Sequence, residues 1–582
     1  MARWGVERRG RPVARCVHVS DLPEGRLRLG PLLRFVDDTS AAIWVETAEA
    51  ATVVVVAGEV AASARTFSAH GHHYALVEVT GLPAGTPTPY RLLVDDEVVW
   101  PPDEPEYAGF PPPVIPTLQP RKPLRIAFGS CRKSLSHDEE GNGKVGVDAL
   151  RSYALHMAGL TGEPERWPDL VLFLGDQVYA DDTSPRMKEF IASRRDPSEP
   201  PGSELKDYEE YAHLYRLAWS DPANRWLLST LPSAMIFDDH DIRDDWNTSW
   251  TWRQQMEATE WWHERIVAGL GSYWIYQHLG NLSAEDRADD KLWRMIADHV
   301  GDGELDITEA LDELADRADQ EPATYRWSYS RDFGEQARLI VVDSRAARVL
   351  EPDRRSMLDE EEMTWLDERM RGDVDHLLVG TSLPFLLGPR LHRVEAFGEA
   401  LAQGAWGRLA SKVGEVFRQN ADLEHWAAFQ GGFVQVARMV VDVASGRRGT
   451  SPRSVTFLSG DVHHSYVARA WPDPALGVAF DSPVVQATCS PIRNPLPPGM
   501  KTAIKLGAKG KVGAPGRLLG GKVPRSPLRW KLTRGPWYDN NLAVLELQHD
   551  RLHFWWSRGH VDDDVDRPRV ERVATIDVPL PA

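Results

Sequence analysis

Acids, histidines, a cysteine and a tyrosine recur in this sequence directly after short apolar runs. Asp176, Tyr179, Asp181 and Asp182 follow the unbroken apolar run Leu170 to Leu174, which stops at Gly175. Cys131 follows Arg125 to Phe128, and Asp238, Asp239, His240 and Asp241 follow Ser233 to Phe237. Asp343 and Arg345 follow Ala337 to Val342, Thr381 and Ser382 follow His376 to Gly380, and Asp461, His463 and His464 follow Val455 to Leu458. Taken singly, each stretch reads as a strand ending in a polar turn. Cys131 alone reads as a small buried hydrophobe, Tyr179 as packing, and His240 as a core histidine. Repetition at every run points instead to a shared site. Carboxylates suit Ca²⁺, Mg²⁺ or Mn²⁺, whereas thiolate, phenolate and imidazole suit a more Lewis-acidic transition metal. Two or more cations held together clamp the entering and leaving oxygens of an in-line phosphoryl displacement and lower the pKa of bound water. Asp176, first in its loop, is the natural bridging carboxylate. Adjacent residues beyond a strand point opposite ways. His464 therefore reads as a neighbour, and of Asp238 and Asp239 one reads as a ligand and the other as its hydrogen-bond partner.

Short strands must present these residues, because ligands of open α/β sheets gather beyond the carboxyl ends of the strands. Leu170 to Leu174 has the length and apolarity of a strand buried on both faces. Between the runs lie helical patterns at 148–159, 183–230, 361–370 and 398–440, and a Trp-rich, acidic, mostly helical insertion at 246–322. Strands alternating with helices predict a layered α/β core, closed by strands at 542–547 and 551–556. Residues 27–100 read as short strands with turn signals about every ten residues, the pattern of a fibronectin type III-like β-sandwich. The expected organisation is a lead-in at 1–24, a β-sandwich domain at 25–102, a Pro-rich linker at 103–123 and a catalytic domain at 124–582.

Composition narrows the function classes. The 582 residues are 42% hydrophobic and 26% charged, ordinary for a soluble globular protein. Lys and Arg number 67 against 86 Asp and Glu, a formal charge of −19 that argues against general nucleic-acid binding. Residues 499–534 invert that balance with ten Lys or Arg and no acid, as a solvated basic loop or as a segment that draws phosphorylated substrates to the site. Three cysteines, Cys16, Cys131 and Cys489, are too few for a disulfide framework. Arg8-Arg9 precedes no apolar stretch, so neither a Sec nor a twin-arginine signal is read, no run has the length of a membrane span, and the cytoplasm is the expected compartment. The oligomeric state is not legible.

Together, GSC at 129–131, GDQVY at 175–179, DDHD at 238–241, DSR at 343–345, DLEHW at 422–426 and SGDVHHS at 459–465 resemble the PhoD-like alkaline phosphatases and phosphodiesterases. These belong to the calcineurin-like metallophosphoesterases, and the preceding β-sandwich is similar to the family's architecture. The resemblance implies a ferric iron held by Cys131, Asp176, Tyr179 and His463, and calcium near Asp176, Asp239 and Asp461, with Mn²⁺, Mg²⁺ or Zn²⁺ as alternatives. It implies His240 near the leaving-group oxygen and Arg345 as a phosphate clamp. Asp244 and Asp245 stand where the family commonly has paired Asn. The expected function is hydrolysis of small phosphoric esters by a metal-bound hydroxide, without a covalent enzyme intermediate. The alternatives are a Mn²⁺- or Mg²⁺-dependent phosphodiesterase on nucleotides, phospholipids or wall polymers, and a metal-stabilised binding protein without turnover.

Overall fold

The computed structural model describes residues 25–405, 407, 424–497 and 523–581, a mixed α/β protein with a β-rich N-terminal region. Cys16, the lead-in, Asp422 and Leu423, and basic residues 501–522 lie outside the described residues.

Two sheets carry the site. Apolar runs that cannot leave either face to water pair as parallel strands covered on both sides. One sheet orders Ser233–Ile236, Leu170–Leu174, Arg125–Gly129, Leu542–Leu547, Arg551–His560 and Arg569–Pro579. Its first three strands are parallel, with Val171 opposite Ser233 and Ile126 opposite Leu170, and the other three are antiparallel. The second sheet orders Tyr329–Phe333, Ala337–Val342, His376–Thr381, Ser454–Ser459, Val484–Thr488, Ser465–Pro472 and Leu528–Trp537. Four of these strands, from Ala337–Val342 to Val484–Thr488 in that order, are parallel. The sheets lie face to face: a Cβ on Gly380 would sit 3.2 Å from Leu174 Cδ2 and 3.3 Å from Leu172 Cδ2. Every side chain of Leu170–Leu174 is buried, each worth roughly 1.5–3 kcal/mol.

Helices cover the outer faces and begin where the sequence offers a cap. Asp148 caps Ala149–Met157, Asp207 caps Tyr208–Trp219, and Asp359 caps Glu360–Arg369, each accepting from a backbone N–H of the first turn. Arg529, Lys531 and Arg534, expected in a basic loop, lie instead in the edge strand Leu528–Trp537, paired with Ser465–Pro472.

The N-terminal region is two sheets around one apolar core that includes Ile43, Val53, Val55, Leu92 and Trp100. One sheet takes a two-residue strand, Leu305–Asp306, from the helical insertion, pairing parallel to Phe67–Ala69. The Pro-rich stretch contributes Val114–Pro116, paired with residues 87–89, and Trp226 Nε1 donates to the Pro111 carbonyl. Among the described residues, no helix is long and apolar enough to cross a membrane.

Candidate functional site

The carboxyl ends of the parallel strands meet at one edge of the two sheets. Gly175 turns the chain there at φ +97°, and a Cβ on it would lie 2.6 Å from Asp238 Cβ. Gly460 crosses close to the first sheet, where a Cβ would lie 2.3 Å from Ser130 Cβ and 2.8 Å from the Leu174 carbonyl. These contacts leave room only for glycine. Beyond them, Cys131, Asp176, Asp461 and His463 all adopt left-handed backbone conformations, φ +51° to +62°. Such geometry costs a non-glycine residue of order 1–3 kcal/mol, persists only where surroundings hold it, and clusters at functional sites.

The surroundings are hydrogen bonds between the strand-end loops. Cys131 N–H and Arg132 N–H donate to the Gly175 and Asp176 carbonyls. Ser130 Oγ accepts from Asp461 N–H at 2.9 Å, and Ser490 Oγ accepts from His463 N–H at 3.1 Å. Asp241 Oδ2 accepts from the N–H groups of both Asp176 and Asp238 at 2.9 Å, tying two strand ends together.

Two donor groups result, and Asp176 belongs to both. Ligand atoms of Cys131, Asp176 and His463 lie within 4.8 Å of one another, as do those of Asp176, Asp239 and Asp461. A third group of the same span joins Asp239, His240 and Asp244. Tyr179 borders the first group, its hydroxyl donating to Asp176 Oδ2 at 3.3 Å and accepting from Asn494 Nδ2 at 3.0 Å. Asp176 is fully buried, and its Oδ1 has no hydrogen-bond partner. A buried, orphaned carboxylate oxygen amid further carboxylates is what a cation site presents, so the donor set fits metal ions.

Charge in this cluster is unbalanced. Burial pushes Asp176 well above the usual carboxylate range, and the neighbouring Asp238, Asp241 and Asp461 add to it. Burial likewise raises Asp239 well above normal, Asp238 to about 6 and Asp241 to about 7. Burial would raise Asp461 too, but the His425 imidazole beside it brings that acid down to about 2. Burial lowers His463 to about 4, leaving its lone pair free for a metal. A carboxyl with a raised folded pKa binds protons more tightly in the fold than in the unfolded chain. Asp238 and Asp241 therefore destabilise the cation-free protein progressively between about pH 4 and pH 7. A bound cation removes that penalty. The melting-temperature gap between cation-loaded and chelated protein should widen from pH 5 to pH 8; a constant gap would contradict this.

Arg345, the expected phosphate clamp, sits deep within the acid cluster. The guanidinium is fully buried and engages three carboxylates: Nε bonds Asp238, Nη1 bonds Glu424, and Nη2 lies 3.0 Å from Asp239 Oδ1. Its three nitrogens thus face acids, Nη2 at ion-pair distance without a hydrogen bond. Its loop is fixed by Asp343, whose carboxylate accepts the N–H groups of Arg345, Ala346 and Ala347 at 2.7–2.9 Å. Asp181 and Asp182 also stand apart from Asp176. Asp181 accepts from His240 Nδ1 at 2.9 Å and from Asp244 N–H at 2.6 Å, and Asp182 pairs with Lys133. The His240 ring packs 4.6 Å from Tyr179. His464 Nδ1 donates to the Val462 carbonyl at 2.6 Å.

Residues without an assigned role in the sequence complete the site. His425 Nδ1 bonds Glu395 Oε1 at 3.0 Å, and its Nε2 lies 3.3 Å from Asp461 Oδ2, at ion-pair distance but outside hydrogen-bond geometry. Glu424 and His425 sit in the quoted DLEHW stretch, whereas Glu395 and Asn494 carried no motif. A cavity of about 430 Å³ opens beside the cluster, lined by Asp181, Asp182, His240, Arg243, Asp244 and Trp252 among others.

Comparison with known proteins shows the family and the fold. A family model described as PhoD-like phosphatase matches residues 156–502, and one for a domain of unknown function, DUF7800, matches residues 24–115. A solved structure titled "Structure of PhoD" is similar at 14% identity and a TM-score of 0.55, over 94% of this chain and 89% of that one. The type III pullulan hydrolase from Thermococcus kodakarensis, at 10% identity over 94% and 97% of the two chains, has a TM-score of 0.14, too low to bear on the fold. No curated protein matches.

Proposed function

Since this chain belongs to the PhoD-like phosphatase family, and is a phosphoric ester hydrolase on that ground, we propose that it hydrolyses small phosphate esters at a centre of two or more cations bridged by Asp176. The observation that carries the reading is Asp176 itself, buried, with one unpartnered oxygen, and common to two donor groups. Cys131, Tyr179 and His463 would share an iron with Asp176, and Asp239 and Asp461 would share calcium with it. The donor chemistry supports that split, with thiolate, phenolate and imidazole on one side and carboxylates on the other. Bound there, the cations supply Lewis acidity to phosphoryl oxygens and acidify water for in-line attack.

The remaining steps belong to side chains. Arg345 would hold Asp238, Asp239 and Glu424 in place, its charge favouring their ionised forms against burial. His240 is anchored through Nδ1 by Asp181, leaving Nε2 to meet the leaving-group oxygen. Burial opposes charge on this imidazole, yet Asp239, Asp181 and Asp176 hold its pKa well above the ordinary value. The Asp181 anchor supports a protonated ring, which would deliver its Nε2 proton to the departing alkoxide.

The test is elemental analysis of purified protein, joined to assays on chromogenic mono- and diesters. Ferric phenolate absorbs in the visible, so the protein should be coloured and Tyr179→Phe should bleach it while other cations stay bound. A colourless, active protein holding only Mn, Mg or Zn would refute the iron assignment, and a metal-replete protein that cleaves neither ester would refute the hydrolase reading.

A further inference from the structure

Around the cluster, most cations are committed. Arg345 is buried among three carboxylates, and Arg132 is buried against Asp148 and the Ala218 carbonyl. Arg243, at the cavity rim, is braced by Nε at 2.9 Å and Nη2 at 3.3 Å to Glu204, and by Nη1 to Met256 sulfur. Lys133 is different. It stands two residues beyond Cys131, its backbone N–H held by the Arg493 carbonyl at 3.0 Å. Its ammonium lies 5.1 Å from the centre of the Tyr179 ring. Its carboxylate partner, Asp182, is a cavity-lining residue whose side chain is 58% exposed. Lys133 keeps 18% of its own side chain in solvent.

That arrangement is a cation parked at the rim. The Asp182 side of this ion pair faces solvent, where its attraction is screened, so a better-placed anion can compete for the ammonium. The Lys stem is flexible and its head is a point charge with three donors, suited to grip a phosphate oxygen without demanding one geometry. The Tyr179 face keeps the ammonium beside the donor groups, because a cation over an aromatic ring is held electrostatically.

We propose that Lys133 selects phosphomonoesters over phosphodiesters by binding the extra non-bridging oxygen of the monoester dianion. This rests on the hydrolase reading above. A diester has one charge and a second substituent on the oxygen the ammonium would take. A monoester near neutral pH and above presents up to two charges and three terminal oxygens. Acids of the rim, Asp181, Asp182, Asp244 and Asp245 among them, repel that second charge, and Lys133, paired to Asp182, is placed to offset them.

The experiment compares wild type, Lys133→Gln and Lys133→Arg on 4-nitrophenyl phosphate and bis(4-nitrophenyl) phosphate, with metal content measured on each protein. Lys133→Gln should lower kcat/KM for the monoester at least tenfold more than for the diester, mainly through KM, with metal content unchanged. Lys133→Arg should recover most of the monoester rate. Wild type turning over both esters, with an unchanged ratio in Lys133→Gln, overturns the selection alone. So does loss of both activities together with metal, which marks a structural role. A wild type that cleaves neither ester overturns the hydrolase reading, and this proposal with it.

Discussion

Asp176→Asn should abolish ester hydrolysis and strip most of the bound metal. Asparagine keeps the shape of the side chain and tolerates the left-handed backbone at φ +52°, so the substitution removes charge and little else. Two donor groups lose their common carboxylate at once. Residues that merely orient a metal ligand cost about 10–100-fold when replaced, so loss of a shared ligand should exceed about 100-fold. Stability in chelator gives the contrasting readout. Burial and the neighbouring acids disfavour the Asp176 charge in the cation-free protein, so the variant should melt no lower than wild type without cations and gain less when they are added. Wild-type rates and metal content in the purified variant would refute the assignment.

Arg345→Met should destabilise the fold by about 3–5 kcal/mol, the usual cost of stranding one side of a buried ion pair. Asp238, Asp239 and Glu424 would face one another without the guanidinium between them in a site closed to solvent. Lysine should not rescue it, since one ammonium cannot reach three carboxylates as a planar fork does. Urea unfolding measures the effect. Added cations should restore part of the loss, because they bring positive charge to Asp239. A midpoint equal to wild type in chelator would show that these acids are neutralised by protons and that Arg345 is dispensable.

The strands and their polar ends were legible because burial on both faces leaves an unmistakable apolar run followed by an abrupt polar turn. Leu170–Leu174, Ala337–Val342 and Leu542–Leu547 coincide with the expected strands, and the others differ by a residue or a few at their ends. The edge strands Leu528–Trp537 and Arg569–Pro579 were not legible: half their residues face solvent, and their pattern is that of a charged loop. Arg345 shows a different limit. The family resemblance implied a group aimed at substrate, whereas its ion-pair partners come from two other segments, at 238–239 and 424. Sequence spacing carries no information about which of several nearby ions a guanidinium will find. Glu395 and Asn494 escaped for the same reason, since each meets the site through tertiary packing. The left-handed backbone at Cys131 leaves no mark in residue type, because cysteine does not favour it.

The small strand Leu305–Asp306 has a consequence for how such a protein can change over time. Through it, the helical insertion is hydrogen-bonded into the N-terminal sheet, and His73 and Arg65 add side-chain bonds to Glu304 and the Gly301 carbonyl. The N-terminal region and the insertion are therefore two halves of one joint. Neither can be exchanged for a foreign counterpart, lengthened or recoded along that seam unless the other is altered to match. Inheritance of the two is tied, and diversification of the walls around the catalytic edge is channelled into paired substitutions across the seam.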